Sequence, residues 1–382
     1  MATSPPRYRD LGLTVGMLDP GPNNAITDVD GVTVGVTTLI EGEGPLVPGK
    51  GPVRTGVTAI LPHADIGAEP VFAGCHRLNG NGELTGLEWV RESGQLTTPI
   101  AITNTHSVGV VRDAIVAADM RARSDIGAFW SLPVVGETWD GTLNDINGFH
   151  VKPEHVHHAL ETATTGPVPE GNVGGGTAMI CHGFKGGTGT ASRTLSFDEG
   201  GWTVGALVQA NYGRRERLTV DGVPVGREIG PDVVPTPYDE SPTSPPPGAG
   251  SIIVILATDA PLLPHQCERI AQRAGLGIAR VGGAGEHSSG DLFLAFSTAN
   301  RGRLASYKDD IAAGPFNVTM LPDAAISPLF WAAIEATEEA ILNALIAAET
   351  LTGIDGVTAH ALPHDTLVDV MARYGRGPQP RV

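Results

Sequence analysis

Residues 248–266 read GAGSIIVILATDAPLLPHQ, and the run SIIVILATD (251–259) inside them is apolar at nearly every position and rich in β-branched side chains. Such a run, bounded by glycine on one side and by aspartate and proline on the other, reads as a strand of a well-buried sheet. VTAILPH (57–63), TPIAITNT (98–105), WTVGALVQAN (202–211) and DLFLAFST (291–298) read the same way. Between some of them apolar residues recur at helical spacing: Val108, Val111, Ile115 and Ala118, then Leu262, Ile270 and Ala274. The clearest helix is expected over 327–353. Ser327 and Pro328 start it, Gly353 stops it, and one stripe through Phe330, Ala333, Ile334, Thr337, Ile341, Ala344, Leu345 and Ala348 packs on a sheet. Strands and helices are mixed without regular alternation or an early glycine-rich phosphate turn. A layered sandwich of sheets and helices is therefore expected rather than a doubly wound sheet.

Composition narrows the partners. The chain has 382 residues and a formal charge of −17, so it lacks the basic stripe that a nucleic acid or an anionic membrane would require. No stretch approaches the apolar length of a membrane span, and MATSPPRYRDLGL at the start has no apolar leader core, which makes the cytoplasm the expected location. The three cysteines, Cys75, Cys181 and Cys267, are far apart and read as buried, inert thiols. With 51 glycines and 30 prolines, many tight turns and close backbone approaches are expected.

The strongest break in composition lies just before the opening strand. PDVVPTPYDESPTSPPPGAG (231–250) carries seven prolines and reads as an exposed, extended connector. An interdomain linker is the alternative, but the chain beyond Gly250 enters a core strand at once, and the first residue of that strand is Ser251. A serine hydroxyl needs a neighbouring base to act as a nucleophile. If the Gly250–Ser251 bond were cut, the new α-amine, with a reference pKa of roughly 7.7 to 8.0, would be that base. Attack of Ser251 Oγ on the Gly250 carbonyl would make the cut autocatalytic, and a glycine there leaves the carbonyl unobstructed and can take up a strained conformation. The alternative is a serine that merely begins a strand after a loop.

GAGSIIVILATDAPLLPHQ resembles the processing site and nucleophile strand of the DmpA-type aminopeptidases, the L-aminopeptidase/D-esterase and β-peptidyl aminopeptidase family. GETWDGTLNDING (136–148) resembles the family's acidic loop, and EGNVGGGTAMICHGFKGGTGTASR (170–193) its long glycine segment. HRLNGNGELTGLEWVRESG (76–94) and VGALVQANYG (204–213) match as well, so the similarity spans nearly the whole chain in the family's order. The resemblance implies an α+β fold, a four-layer αββα sandwich of the DmpA/ornithine acetyltransferase type. It also implies a single domain, residues 1–382, cut into an α chain (1–250) and a β chain (251–382) that stay associated as a heterodimer and assemble further, a tetramer being favoured.

The resemblance also implies roles residue by residue. Ser251 is the nucleophile, and Gly250 with Ser251 forms the autocleavage site. Asn211 stabilises the oxyanion. Ser289 and Asp291 in HSSGDLFLAF contact the nucleophile and its amine, and being two apart at a strand start they face the same side. Glu137 binds the free amine of the substrate, and Lys185 donates to the carbonyl or oxyanion. Trp139 occupies a substrate-binding position where some members carry Tyr.

Other motifs count for less. Gly80, Gly82 and Gly86 give G-x-G-x-x-x-G, which is not the dinucleotide fingerprint, and this segment and 173–193 are read as close-packed turns. His155, His157 and His158 lack a partner set with metal-ligand spacing, and no G-x-S-x-G elbow makes a triad of His106 or His287. The expected activity is an autoprocessed N-terminal serine amidohydrolase or aminopeptidase. It would act on short peptides, amides or esters, with no metal or cofactor. An acyltransferase and a non-catalytic small-molecule-binding protein are the alternatives.

Overall fold

The computed structural model describes residues 5–123, 127, 130–238, 250–304 and 314–378. One sheet has four strands: β1 (Thr33–Glu41), β2 (Val53–Leu61), β5 (Ile100–Asn104) and β6 (Val134–Thr138), in that spatial order. The other has six: β4 (Gln95–Leu96), β3 (Val71–Gly80), β12 (Ser289–Ser297), β11 (Gly250–Thr258), β10 (Thr203–Asn211) and β9 (Gly187–Thr194), again in spatial order. A small hairpin, β7 (Ile180–Cys181) with β8 (Phe184–Lys185), precedes β9. The helices are α1 (Leu87–Ser93), α2 (Val108–Ala122), α3 (Pro153–Glu161), α4 (Val225–Glu228), α5 (Pro264–Arg280), α6 (Ser327–Ile346) and α7 (His364–Arg373). None of the described helices is long and apolar enough to cross a membrane.

The side-chain period of two sorts β11 between two cores. Ile252, Val254 and Leu256 join Ile270 and Ala274 of α5 and Ala333 and Leu345 of α6. Ile253, Ile255 and Ala257 face the other way, toward Ile60, Ile100, Ile102 and Val134 of the four-stranded sheet. A third core puts α2 and α3 on the outer face of that sheet, through Val111, Ile115, Val156 and Ala159. The layers therefore run helix, sheet, sheet, helix, which is the αββα sandwich expected from sequence.

Three readings need correction. The glycine segment is not all turns: GTGTASRT (187–194) is the edge strand β9. A Cβ at Gly189 would lie 2.0 Å from the Ala340 carbonyl oxygen, so the residue's small size lets α6 lie directly on the strand. Helix α6 ends at Ile346 rather than near Gly353. Beyond it the Glu349 backbone pairs with the Asn172 side chain and Leu351–Thr352 pairs with Thr358–Ala359. Nor does α6 bury a single stripe, because Glu335, Glu338 and Glu339 are buried too. Arg193 reaches Glu339 at 2.7 Å and Glu335 at 3.2 Å, Arg9 reaches Glu339 at 2.7 Å, and Arg280 reaches Glu338 at 2.9 Å. Buried charges persist only when paired in this way.

The proline-rich connector is also less exposed than its composition suggests. Val234, Thr236 and Pro237 are buried, and the Val234 carbonyl accepts a hydrogen bond from the Arg215 guanidinium at 2.9 Å. Residues 239–249 lie outside the described residues.

Candidate active site

Register brings the candidate residues together. Ser251 is the second residue of β11, opposite Asn211, the last residue of β10, and beside Gly290 of β12. Asn211 shares its sheet face with Leu207, and Ser251 shares its face with Ile253, so both look into the space between the sheets. There a cavity of about 650 Å³ is lined by Ser251, Gly250, Asn211, Glu137, Trp139, Ile180, Thr105 and Tyr238, with Asn81, Gly82, Glu83, Thr142 and Ser288 completing the wall.

Ser251 Oγ donates to the Gly250 carbonyl oxygen at 2.7 Å and accepts the Gly290 N–H at 3.2 Å. The hydroxyl thus already rests on the carbonyl group of the bond expected to break. Gly250 is required here by space, since a Cβ would lie 2.5 Å from the Asn211 carbonyl oxygen and 2.8 Å from Tyr212 Cα. Its φ is not left-handed, so close approach rather than backbone strain explains this glycine.

The Asn211 side chain is held at both ends of its amide. Its Oδ1 accepts the Ile180 N–H at 2.8 Å, and its Nδ2 donates to the Trp139 carbonyl at 2.9 Å. The second amide hydrogen has no acceptor among the described residues, and it belongs to a group on the cavity wall beside Ser251.

Ser289 and Asp291 do converge, with Ser289 Oγ donating to Asp291 Oδ1 at 2.6 Å. They sit on the opposite side of the sheet from the Ser251 hydroxyl, in a small recess lined also by Tyr212, Gly285 and Glu286. In the uncut chain their link to the nucleophile runs through the backbone, where Asp291 pairs in register with Ile252, whose N–H favours its carboxylate. Burial pushes the Asp291 carboxyl up to about 6, against the opposing pull of Ser289 and Ile252. Arg214 and Arg217 line the same recess and reach Glu286 at 2.9 Å and 3.8 Å.

Glu137, at the end of β6, projects into the cavity although only 3% exposed. Its carboxylate accepts from Thr105 Oγ1 and from the Glu83 N–H, the latter at 2.9 Å. Burial raises its pKa against those hydrogen bonds, with Glu83 adding to the rise and His106 opposing it. Trp139 is half-exposed at the mouth, edge-on to the His106 ring at 5.9 Å.

Lys185 is placed elsewhere. It lies in β8, is fully buried behind the cavity wall, and donates to the Gly186 carbonyl at 2.7 Å without lining the cavity. Desolvation lowers its pKa to about 7. It pairs in register with Ile180, whose N–H anchors Asn211, so the contact with the site is one residue removed.

Several residues of the site carry no signal in the sequence. Thr105, Glu83 and Gly290 act through a hydroxyl or a backbone N–H, which almost any loop provides. Tyr238 is more legible, an aromatic residue within an otherwise proline-rich and acidic segment. The three histidines of α3 point to separate partners: His155 to the Lys152 N–H, His157 to the Ala114 carbonyl and His158 to Thr37.

Comparison with known proteins gives consistent matches. The model of Peptidase family S58 matches residues 24–359. A beta-peptidyl aminopeptidase, BapA, of Sphingosinicella microcystinivorans is 52% identical over 378 residues, covering 97% of this chain and 93% of its own. Among solved structures, a Burkholderia sp. beta-aminopeptidase superposes with a TM-score of 0.89 at 54% identity, covering 97% of this chain and 99% of its own. The L-aminopeptidase D-Ala-esterase/amidase of Ochrobactrum anthropi, a variant among the Ntn hydrolase fold, gives a TM-score of 0.89 at 47% identity, with the same coverage of 97% and 99%.

Proposed function

The chain belongs to Peptidase family S58 and is an aminopeptidase of the N-terminal-nucleophile type, and we propose on that basis that Ser251, released by cleavage of the Gly250–Ser251 bond, is its nucleophile. The observation that carries this reading is the contact of Ser251 Oγ with the Gly250 carbonyl oxygen at 2.7 Å. The hydroxyl loses its proton as it attacks the Gly250 carbonyl carbon. The C–N bond then breaks, nitrogen takes up a proton, and an ester links the two residues. Water hydrolyses that ester, leaving a Gly250 carboxylate and a Ser251 with a free hydroxyl and a free α-amine.

In the mature enzyme the neutral α-amine accepts the hydroxyl proton while Oγ attacks the substrate carbonyl. Asn211 Nδ2 donates to the developing oxyanion, the α-ammonium returns its proton to the leaving amine, and water repeats the sequence on the acyl-enzyme. Glu137 holds the free amine of the substrate and so limits cleavage to the first residue. Trp139 bounds the cavity at its mouth. Asp291, with Ser289, supplies the charge that balances the new α-ammonium. Lys185 enters as a positioning residue behind Ile180 and Asn211 rather than as a donor to the oxyanion.

The substrates are short peptides, amides or esters with a free amine, and the named activity of the 52%-identical relative supports N-terminal β-amino acids among them. The α chain (1–250) and β chain (251–382) remain paired, because β10 and β3 from the first flank β11 and β12 from the second. Family resemblance favours a tetramer of such heterodimers, and three buried free thiols suit a cytoplasmic protein. The test is hydrolysis of a β-alanyl or alanyl p-nitroanilide. Turnover by the wild type, with none for the N-acetylated substrate or for Ser251→Ala, is expected; turnover by Ser251→Ala contradicts the reading.

A further inference from the structure

The described wall of the cavity around Ser251 carries no cationic side chain. Among its described lining residues there are two carboxylates, Glu83 and Glu137, and no Lys, Arg or His. Glu137 is spoken for, since its oxygens accept from Thr105 and from the Glu83 backbone and its charge is the one that meets the substrate amine. Glu83 is different. Its backbone N–H does the anchoring, while its carboxylate is a side chain on an exposed residue that still lines the cavity. The residue is held firmly in place. Two positions before it, Asn81 donates to the Ser288 carbonyl at 2.8 Å and to the Ser289 carbonyl at 3.2 Å, fastening the 81–83 loop to the start of β12.

We infer that Glu83 is a specificity-determining residue that selects substrates by the charge beyond the scissile bond. It disfavours a leaving group with a free carboxylate and favours amides, esters and peptides continuing past the second residue. The inference rests on the proposed role of the Ser251 cavity and adds to it the class of leaving group. The substrate ammonium neutralises Glu137, so the charge left facing the rest of the substrate is that of Glu83. A dipeptide with a free C-terminus brings its carboxylate within one residue of the scissile carbonyl, and no described lining residue offers it a counter-charge. Like charges separated by a few residue lengths in a partly solvated cleft cost on the order of tenfold in affinity at low salt. That repulsion fades as the screening length shrinks to a few ångströms.

The experiment compares β-alanyl-leucine with its C-terminal amide on the processed full-length protein, at about 20 mM and about 0.5 M NaCl. At low salt kcat/KM for the amide is expected to exceed that for the free acid on the order of tenfold, with the difference in KM, and high salt narrows the gap. In Glu83→Gln, which retains the backbone N–H, the amide-to-acid ratio falls several-fold, and Glu83→Asp keeps most of it. Equal kcat/KM for acid and amide at low salt, or an unchanged ratio in Glu83→Gln, overturns the inference while leaving the aminopeptidase reading intact. Failure to hydrolyse either peptide overturns both.

Discussion

Asn211 is fixed by its Oδ1 to the Ile180 N–H and by its Nδ2 to the Trp139 carbonyl, so its remaining amide hydrogen is directed before any substrate arrives. Such preorganisation is what makes an oxyanion donor effective. Asn211→Ala is expected to lower kcat by about 10²- to 10³-fold with little change in fold, as checked by steady-state kinetics beside circular dichroism. On the proposed reading Glu137 adds an inflection to the acid limb of the pH profile, below the one set by protonation of the Ser251 α-amine. It must be ionised to hold an ammonium, and burial together with Glu83 raises its pKa, while Thr105, the Glu83 N–H and His106 pull it down. That inflection in kcat/KM should therefore lie above the ordinary glutamate range, and Glu137→Gln should remove it, leaving the limb set by the α-amine, along with most binding of the free amine. Much of this site was legible in the sequence because Ser251, Asn211, Glu137 and Trp139 lie in motifs with distinctive neighbours. Lys185 shows the limit: a lysine in GFKGG resembles a catalytic donor, but only the β7–β8 hairpin reveals that it turns behind the wall.

At the scale of elements, the acidic loop and the glycine strand each make a claim that stability measurements can check. Burial raises the Asp140 carboxyl from 3.8 to about 7, against the hydrogen bond from Asn144 and the nearby polar side chains of Thr55 and Asn104. The folded protein therefore keeps a proton that the unfolded chain has released. The stabilisation this gives is complete below the unfolded value and is lost as pH rises through the folded one. Asp140→Asn has no such proton to lose, so the wild type should fall behind it in melting temperature between about pH 4 and about pH 7. Gly189→Ala forces a Cβ against the Ala340 carbonyl, and a loss of roughly 1 to 3 kcal/mol in denaturant unfolding is expected. The strands carrying β-branched runs were evident from their composition. Strand β9 was not, because its glycines serve the backbone of α6 rather than the strand, and glycine in a sequence signals a turn more often than a close approach. The periodicity of helix α6 shows only one buried stripe because the arginines that neutralise its other face are distant in sequence: Arg9, Arg193 and Arg280.

Across the whole molecule, the sheet that carries the nucleophile is assembled from both sides of the expected cut. Strand β11 lies between β10 and β12, and β12 lies against β3, so cleavage after Gly250 would detach only the first residue of β11 and leave its pairing from Ser251 onward unbroken. Arg9 and Arg193 on one side of the cut also pair with Glu335 and Glu339 on the other. The two chains should co-elute at native pH and separate only in denaturant. The layered architecture could be read from the mixture of buried strands and helices, whereas the face on which each site residue would lie could not, since it depends on pairing between distant strands. The α-amine of Ser251 exists only if the chain is cut, and denaturing intact-mass measurement of matured protein is the sharpest test of that cut. Two species that sum to the precursor plus one water are expected, the smaller beginning at Ser251, with Ser251→Ala remaining whole. A single uncut species of 39.6 kDa in an active wild-type preparation would show that the nucleophile is generated some other way.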